Sequence, residues 1–388
     1  MILGIIFAVL PLLIWLYLLF GRDRFWLFAE RDDSDADTTG ETQDWPCVVA
    51  VVPARNEADV IGRSLGSLLA QDYRGSFHVV LVDDQSDDGT GEIAHGLGSE
   101  RLTVLSGASR PPGWTGKLWA MSQGVEAAAQ YAPDFLWFTD ADIAHSPSNL
   151  SQLVARAGTD KVLVSLMARL SCQTPAEHFL VPAFVFFFAM LYPFGAVNRP
   201  DRAVAAAAGG CMLARRTALV AAGGIAAIHH NIIDDCALAR LMKRQGPIWL
   251  GLTNRARSLR PYPHLSDIRQ MVSRSAYAEL DYSWLRLLGT LAGLVLVYIA
   301  PVAIVLFADG PIQWAGAAAW LLMALALQPI LRFYRLSPFW GFLLPAIAGF
   351  YAAFTLDSAI QYWRGRGGMW KGRAQAGEGP GEKTSARA

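Results

Sequence analysis

The run Phe135-Leu136-Trp137-Phe138-Thr139-Asp140-Ala141-Asp142 constrains this chain more than any other stretch. Its apolar half reads as a buried strand, and it ends in two aspartates spaced i, i+2. In extended backbone such side chains leave one face, so both can address a single ligand. Paired aspartate oxygens suit Mg²⁺ or Mn²⁺, ions that usually bind substrate phosphates as well. A lone pair of this kind is more often two solvated turn residues, and the weight comes from two earlier segments. Val48–Val52 runs into Pro53-Ala54-Arg55-Asn56-Glu57, and Val79–Val82 runs into Asp83-Asp84-Gln85-Ser86-Asp87-Asp88-Gly89-Thr90. Three apolar strands that end in acidic, turn-rich sequence, with helical patterns between them, are βαβ alternation and predict a parallel sheet. Ligands of such sheets collect outside the carboxyl ends of the strands, so the acids are expected in one crevice.

The rest of the chain sets this unit against a membrane. Of 388 residues, 53% are hydrophobic, more than a purely soluble enzyme needs. Lys plus Arg and Asp plus Glu both number 33, and this zero balance gives no sign of a nucleic-acid partner. Cys47, Cys172, Cys211 and Cys236 are scattered without a C-x-x-C pair and read as reduced thiols. Residues 1–21 are expected to form a transmembrane helix: 2–20 are apolar, Arg22 and Arg24 follow, and no Lys or Arg precedes them. That asymmetry puts the N-terminus outside and the following domain in the cytoplasm, with no signal-peptide cleavage pattern. Residues 22–44, rich in acids from Glu30 and Asp32 to Asp44, read as a flexible linker.

The catalytic unit is placed at 45–285. Lys117 opens a helix after the loop Arg110-Pro111-Pro112-Gly113-Trp114-Thr115-Gly116 and suits a diphosphate, or is an ordinary surface lysine. Phe179–Val197 is as apolar as a membrane span, but Pro182 and Pro193 interrupt it. A full crossing there would separate Asp142 from the downstream acids. Segment 179–197 is therefore expected to lie on or dip into the membrane surface beside the site. Asp234-Asp235 opens a helix that runs to Arg244, where acids are stabilising whatever else they do. Arg269 and Arg274 suit phosphates, lipid headgroups or solvent. His229, His230 and His264 have no metal-ligand spacing. Region 286–358 holds three further apolar segments, and 359–388 is a basic, polar tail predicted to be disordered. Three full crossings would carry that tail outside, against the positive-inside rule.

Taken in order, Pro53-Ala54-Arg55-Asn56-Glu57, Asp83–Thr90, Asp140-Ala141-Asp142 and Asp234-Asp235 resemble the signature of family 2 glycosyltransferases with a GT-A fold. The resemblance covers roughly residues 46–275. The loop Gly113-Trp114-Thr115-Gly116-Lys117 and the C-terminal apolar trio look most like the hopene-associated glycosyltransferases of bacterial hopanoid clusters. It implies an α/β GT-A domain between an N-terminal anchor and C-terminal transmembrane helices, on the bacterial inner membrane and facing the cytoplasm. It implies a UDP-sugar donor, held by Pro53, Ala54, Arg55, Glu57, Asp83, Asp84, Lys117 and Asp140. Asp142, with Asp140, would ligate Mg²⁺ or Mn²⁺, and Asp235 beside Asp234 would be the general base toward a lipid acceptor, with inversion at the sugar. Processive and ceramide-type relatives carry Gln-x-x-Arg-Trp after the base; the region Arg269–Tyr277 lacks the tryptophan and that spacing, which argues against polymer synthesis.

Two other readings compete. A haloacid-dehalogenase-like phosphatase also uses D-x-D with Mg²⁺, but there the motif ends the first strand and a Thr or Val usually follows the nucleophile by four; here that position is Ala144. A catalytically silent lipid-binding membrane protein would be favoured by loss of an acid, and none is lost. Pro53-Ala54-Arg55 stands where a dinucleotide-binding domain needs G-x-G-x-x-G.

Overall fold

The computed structural model describes residues 2–32, 45–370 and 373–374. Most of the acidic linker and most of the polar tail lie outside the described residues. Eight strands form one sheet: β1 (Val48–Ala54), β2 (Phe77–Asp83), β3 (Leu102–Ser106), β4 (Phe135–Phe138), β5 (Ile143–His145), β6 (Leu163–Arg169), β7 (Met212–Arg215) and β8 (Ile248–Ser258). Their order is β3-β2-β1-β4-β7-β6-β8-β5. Strand β1 is buried along its whole length, which is why it reads as a valine run rather than an alternation. Val49 and Val51 enter the core on one face, and Val48, Ala50 and Val52 that on the other.

β1 pairs in parallel with β2 and β4, and β2 with β3. Ala54 stands opposite Asp83 and Val51 opposite Phe138, so the three acid-bearing strand ends emerge side by side. The parallel sheet expected from the sequence is corrected beyond that point. β7 runs antiparallel to both β4 and β6, and β5 antiparallel to β8. A tight turn leads into β7, with Cys211 N–H on Ala208 O at 3.3 Å. A four-residue apolar strand carries no mark of its direction. The result is the mixed sheet of a GT-A fold.

Helices cover both faces. We label α1 (Ile2–Phe20), α2 (Ile61–Leu69), α3 (Gly116–Ala128), α4 (Pro175–Leu191), α5 (Asp234–Lys243) and α6 (Leu265–Ser273). α2 buries Ile61, Leu65 and Leu68, an i, i+4, i+7 stripe. α3 starts where the Thr115 hydroxyl accepts the Leu118 N–H at 3.3 Å, which fixes Lys117 in its first turn.

Three C-terminal helices, α7 (Trp284–Phe307), α8 (Pro311–Phe333) and α9 (Pro338–Trp363), are long and apolar enough to cross a membrane. α1 packs along the first of them: Trp15 Nε1 donates to Val297 O at 3.0 Å, and its ring meets Tyr298 edge-on at 5.5 Å.

One expectation gains detail and one changes. Segment 179–197, expected on or dipping into the membrane surface, falls in α4 and the short helix Phe194–Asn198. Phe186 is fully buried against Phe25 at 5.3 Å, and Phe187 meets Tyr351 at 4.9 Å and Tyr298 at 5.8 Å. The helix is wedged between the sheet unit and the terminal helices; both its flanks are apolar because both are covered. The linker also begins later than residue 22. Arg31 bridges to Leu252, and Asp32, only 2% exposed, accepts from Arg255 at 2.9 Å. Burial raises the Asp32 pKa although Arg255 and Arg156 pull it down, so this acid is a packed group rather than a solvated tether.

Candidate active site

The turn after β1 is fastened to the Asp-rich loop after β2. Asp84 N–H donates to Ala54 O at 2.8 Å, Asn56 N–H to Ser86 Oγ at 3.0 Å, and Glu57 N–H to Thr90 Oγ1 at 2.8 Å. Asn56 holds φ near 51°, a left-handed conformation that asparagine tolerates well. Arg55 reaches back over the same loop, donating to Gln85 O at 3.0 Å with its guanidinium 4.0 Å from Asp84.

These loops bound a cleft of about 1110 Å³. Two cationic side chains organise its acids. Lys117 Nζ stands 2.8 Å from Asp140 and 2.9 Å from Asp234, tying the end of β4 to the start of α5. Arg260, just past β8, donates through Nε to Asp142 at 3.0 Å and through Nη2 to Glu57. Burial alone would discharge Lys117, but Asp140 and Asp234 outweigh it and raise its pKa. Burial likewise favours a neutral Asp140, yet Lys117, Arg274 and Arg260 overcome this and hold it below the usual carboxylate range.

Asp235 is placed differently. Among the described residues it has no salt-bridge partner, and it accepts from Gly209 N–H at 3.0 Å and Cys236 N–H at 2.7 Å. Burial and the neighbouring Asp234 push its pKa up to about 6, against the pull of Lys117 and those two N–H groups. A carboxylate poised there can take a proton near neutral pH, as a general base requires.

Pro53, Glu57, Lys117, Asp140, Asp142, Asp234 and Asp235 all line the cleft. Ala54, Arg55, Asp83 and Asp84 are not among its lining residues. Asp84 is 1% exposed and turned toward Arg55, while the Asp83 carboxylate accepts from Ser86 N–H at 3.1 Å. Neighbouring residues leaving a strand face opposite ways, so one of the two had to point inward. Arg274 also lines the cleft, together with Phe184, Phe188 and Met271 on an apolar side. Arg260 escapes a reading of the sequence, because an arginine after an unrecognised strand carries no motif. The four thiols are unpaired, with Cys211 and Cys236 buried.

The donor set suits a hard divalent cation. The Asp140 and Asp142 carboxylates offer oxygens of the kind such an ion takes, and each already holds a positive group, Lys117 and Arg260. Among the described residues no three His, Cys, Asp or Glu side chains converge on one point. That matches an ion bound by one or two carboxylates and completed by substrate phosphates, rather than a closed protein cage.

Comparison with known proteins agrees with this geometry. Residues 46–250 match the family described as glycosyltransferase like family 2. An uncharacterized protein of Methanocaldococcus jannaschii is 33% identical over 107 residues, 28% of this chain and 40% of that protein. The 4,4'-diaponeurosporenoate glycosyltransferase of Staphylococcus haemolyticus is 32% identical over 127 residues, 33% of this chain and 30% of that one. The matched stretches thus span less than half the length of either curated relative. A mannosyltransferase of Pyrobaculum calidifontis, solved with GDP-Man and Mn²⁺, superposes with a TM-score of 0.52 at 18% identity, covering 91% of this chain and 98% of that one. At that identity the likeness is one of fold. The dehalogenase-type reading falls away: this chain belongs to glycosyltransferase like family 2 and has a GT-A fold.

Proposed function

We propose that this protein is a membrane-bound, inverting and non-processive glycosyltransferase. It moves a sugar from a UDP-sugar to a lipid acceptor, hopanoid-related by the resemblance of its loops, on the bacterial inner membrane with its catalytic unit in the cytoplasm. The observation that carries this reading is the mixed lining of the cleft, in which Lys117, Asp140, Asp142, Arg260 and Asp235 share one cavity with Phe184, Phe188 and Met271.

In this reading Pro53 and Glu57 border the donor, while Asp83 through Ser86 and Asp84 through Arg55 brace the turns that place them. Asp140 and Asp142 hold a divalent ion, Mg²⁺ or Mn²⁺, which supplies charge neutralisation for the departing diphosphate. Lys117 and Arg274 add positive charge on the same side. Asp235 accepts the proton of the acceptor hydroxyl as its oxygen attacks the anomeric carbon from the face opposite the diphosphate. Gly209 N–H and Cys236 N–H hold that carboxylate in place. One displacement without a covalent intermediate inverts the anomeric centre. Support for a membrane setting comes from three C-terminal helices long and apolar enough to cross a bilayer, the last of which reaches the cleft through Asp357 and Gln361.

The test is nucleotide release by the purified protein supplied with UDP-sugars, with and without a bacterial lipid extract. UDP release stimulated by the extract is expected. Release from GDP-sugars alone would overturn the donor assignment, and release indifferent to lipid would overturn the acceptor assignment.

A further inference from the structure

α9 keeps contact with the catalytic unit along its whole length. Near its start, Trp340 lies 6.1 Å from His178 and 6.2 Å from Phe179, both on α4. In its middle, Tyr351 donates its hydroxyl to Leu180 O at 2.9 Å. Toward its end, Ser273 Oγ donates to Asp357 at 2.9 Å, Tyr277 N–H donates to Ser358 at 3.0 Å, and Tyr362 stacks on Tyr282 at 4.4 Å. A helix of 26 residues is about 39 Å long, against about 30 Å for the hydrocarbon core. The first half of α9 thus lies on α4 and its second half on α6 and the turn after it, and both α4 and α6 supply lining residues of the cleft.

α7 and α8 behave as a crossing pair. α7 leaves from beside Tyr282 and ends at Phe307, which is 85% exposed. α8 comes back, and its Phe333 lies under the Arg169 guanidinium at the end of β6, 5.5 Å away. Charge follows the same division. Arg22 after α1 donates to Met190 O at 2.7 Å, Arg332 and Arg335 flank Phe333 at the end of α8, and Arg366 after α9 lines the cleft, while Ala308-Asp309-Gly310 between α7 and α8 has no basic residue. Most directly, Gln361, Arg366 and Gly368 line the same cleft as Asp140 and Asp235. Residues across a bilayer could not.

We infer that α9 does not cross the membrane. It lies along the membrane face of the catalytic unit, with Phe339, Phe342, Leu343 and Leu356 facing the acyl chains of the cytoplasmic leaflet and its inner flank walling the cleft through which a lipid acceptor arrives. The chain after α9 then stays with the catalytic unit, and the basic tail obeys the positive-inside rule.

The inference rests on the membrane-bound reading above, and flotation with lipid vesicles keeps the two apart. A chain that does not float overturns that reading and this one with it. For a chain that floats, single cysteines are placed at Glu100, Asp309, Ser337 and Arg364, all exposed, with Cys47→Ser and Cys172→Ser as background. An impermeant maleimide is then applied to sealed vesicles of either orientation. Glu100→Cys, Ser337→Cys and Arg364→Cys should label from one side and Asp309→Cys from the other. Labelling of Arg364→Cys together with Asp309→Cys overturns the threading. A fluorophore on Gly349→Cys, mid-helix with no neighbour within 4 Å, reports depth. Lipids quenched near the headgroup should dim it more than lipids quenched at the chain end. The reverse order overturns the surface placement.

Discussion

Lys117 Nζ lies 2.9 Å from Asp234 and 2.8 Å from Asp140, so one ammonium joins the D-x-D turn to the helix that carries the base. Lys117→Met strips a pairing cation from Asp234, which is largely buried, and from Asp140, whose side chain is 34% exposed. A stability loss of about 1–3 kcal/mol is expected, since the uncompensated charge left on Asp234 is costly while that on Asp140 is screened by solvent. Lys117 also lowers the Asp235 pKa, so in this variant the acid limb of the pH–rate profile should move toward alkaline pH. Denaturant melts and a pH profile of residual transfer check both parts.

Asp235→Asn is nearly isosteric and keeps one acceptor oxygen, enough for one of the two N–H groups, of Gly209 and Cys236, that now bond to separate carboxylate oxygens. Turnover should fall by about 10²- to 10⁴-fold, the usual contribution of a general base, while UDP-sugar binding by calorimetry survives. In the parent protein kcat/KM should rise with pH through about 6, where Asp235 ionises, and this limb should vanish in the variant. The sign for stability is opposite. An acid whose folded pKa is raised stabilises below its unfolded value and loses that contribution as pH rises through about 6. If Asp234→Asn proves the more damaging change, the roles within the pair are reversed.

Asp142→Asn should abolish transfer and leave the fold intact, because Arg260 keeps Glu57 as a partner. Near-normal turnover, or full activity in excess chelator, would remove Asp142 from the metal assignment.

Arg260→Gln offers a complementary test. The guanidinium now occupies Asp142, so without donor the variant should bind Mn²⁺ more tightly than the parent, as read by the free-ion paramagnetic signal. Weaker Mn²⁺ binding in the variant would contradict that competition.

Within α4 the phenylalanines should separate. Phe186 is fully buried, and Phe186→Ser should cost about 3–5 kcal/mol of stability. Phe188 lines the cleft, and Phe188→Ser should weaken use of a lipid acceptor while sparing slow UDP-sugar hydrolysis.

Much of this site is legible in the sequence, for a local reason. The strand ends at Ala54, Asp83 and Phe138 follow unbroken apolar runs, and parallel registry brings their turns together without further information. What depends on distant partners is hidden. Arg260 meets Glu57 across 203 positions of chain, and no spacing announces it. The direction of β7 is set by the turn before it rather than by its four residues. α4 and α9 were harder still, because an apolar face looks the same whether lipid or protein will cover it. Asp32 shows the converse: an acidic run reads as solvated until Arg255 and Arg156 arrive from elsewhere.

The most direct measurement is the fate of a radiolabelled UDP-sugar given to the purified protein in vesicles of bacterial lipid. The label should pass into an organic-extractable lipid with inverted anomeric configuration, in a reaction stopped by chelator and by Asp235→Asn. Label confined to water-soluble products, retained configuration, or undiminished transfer by Asp235→Asn would contradict the account.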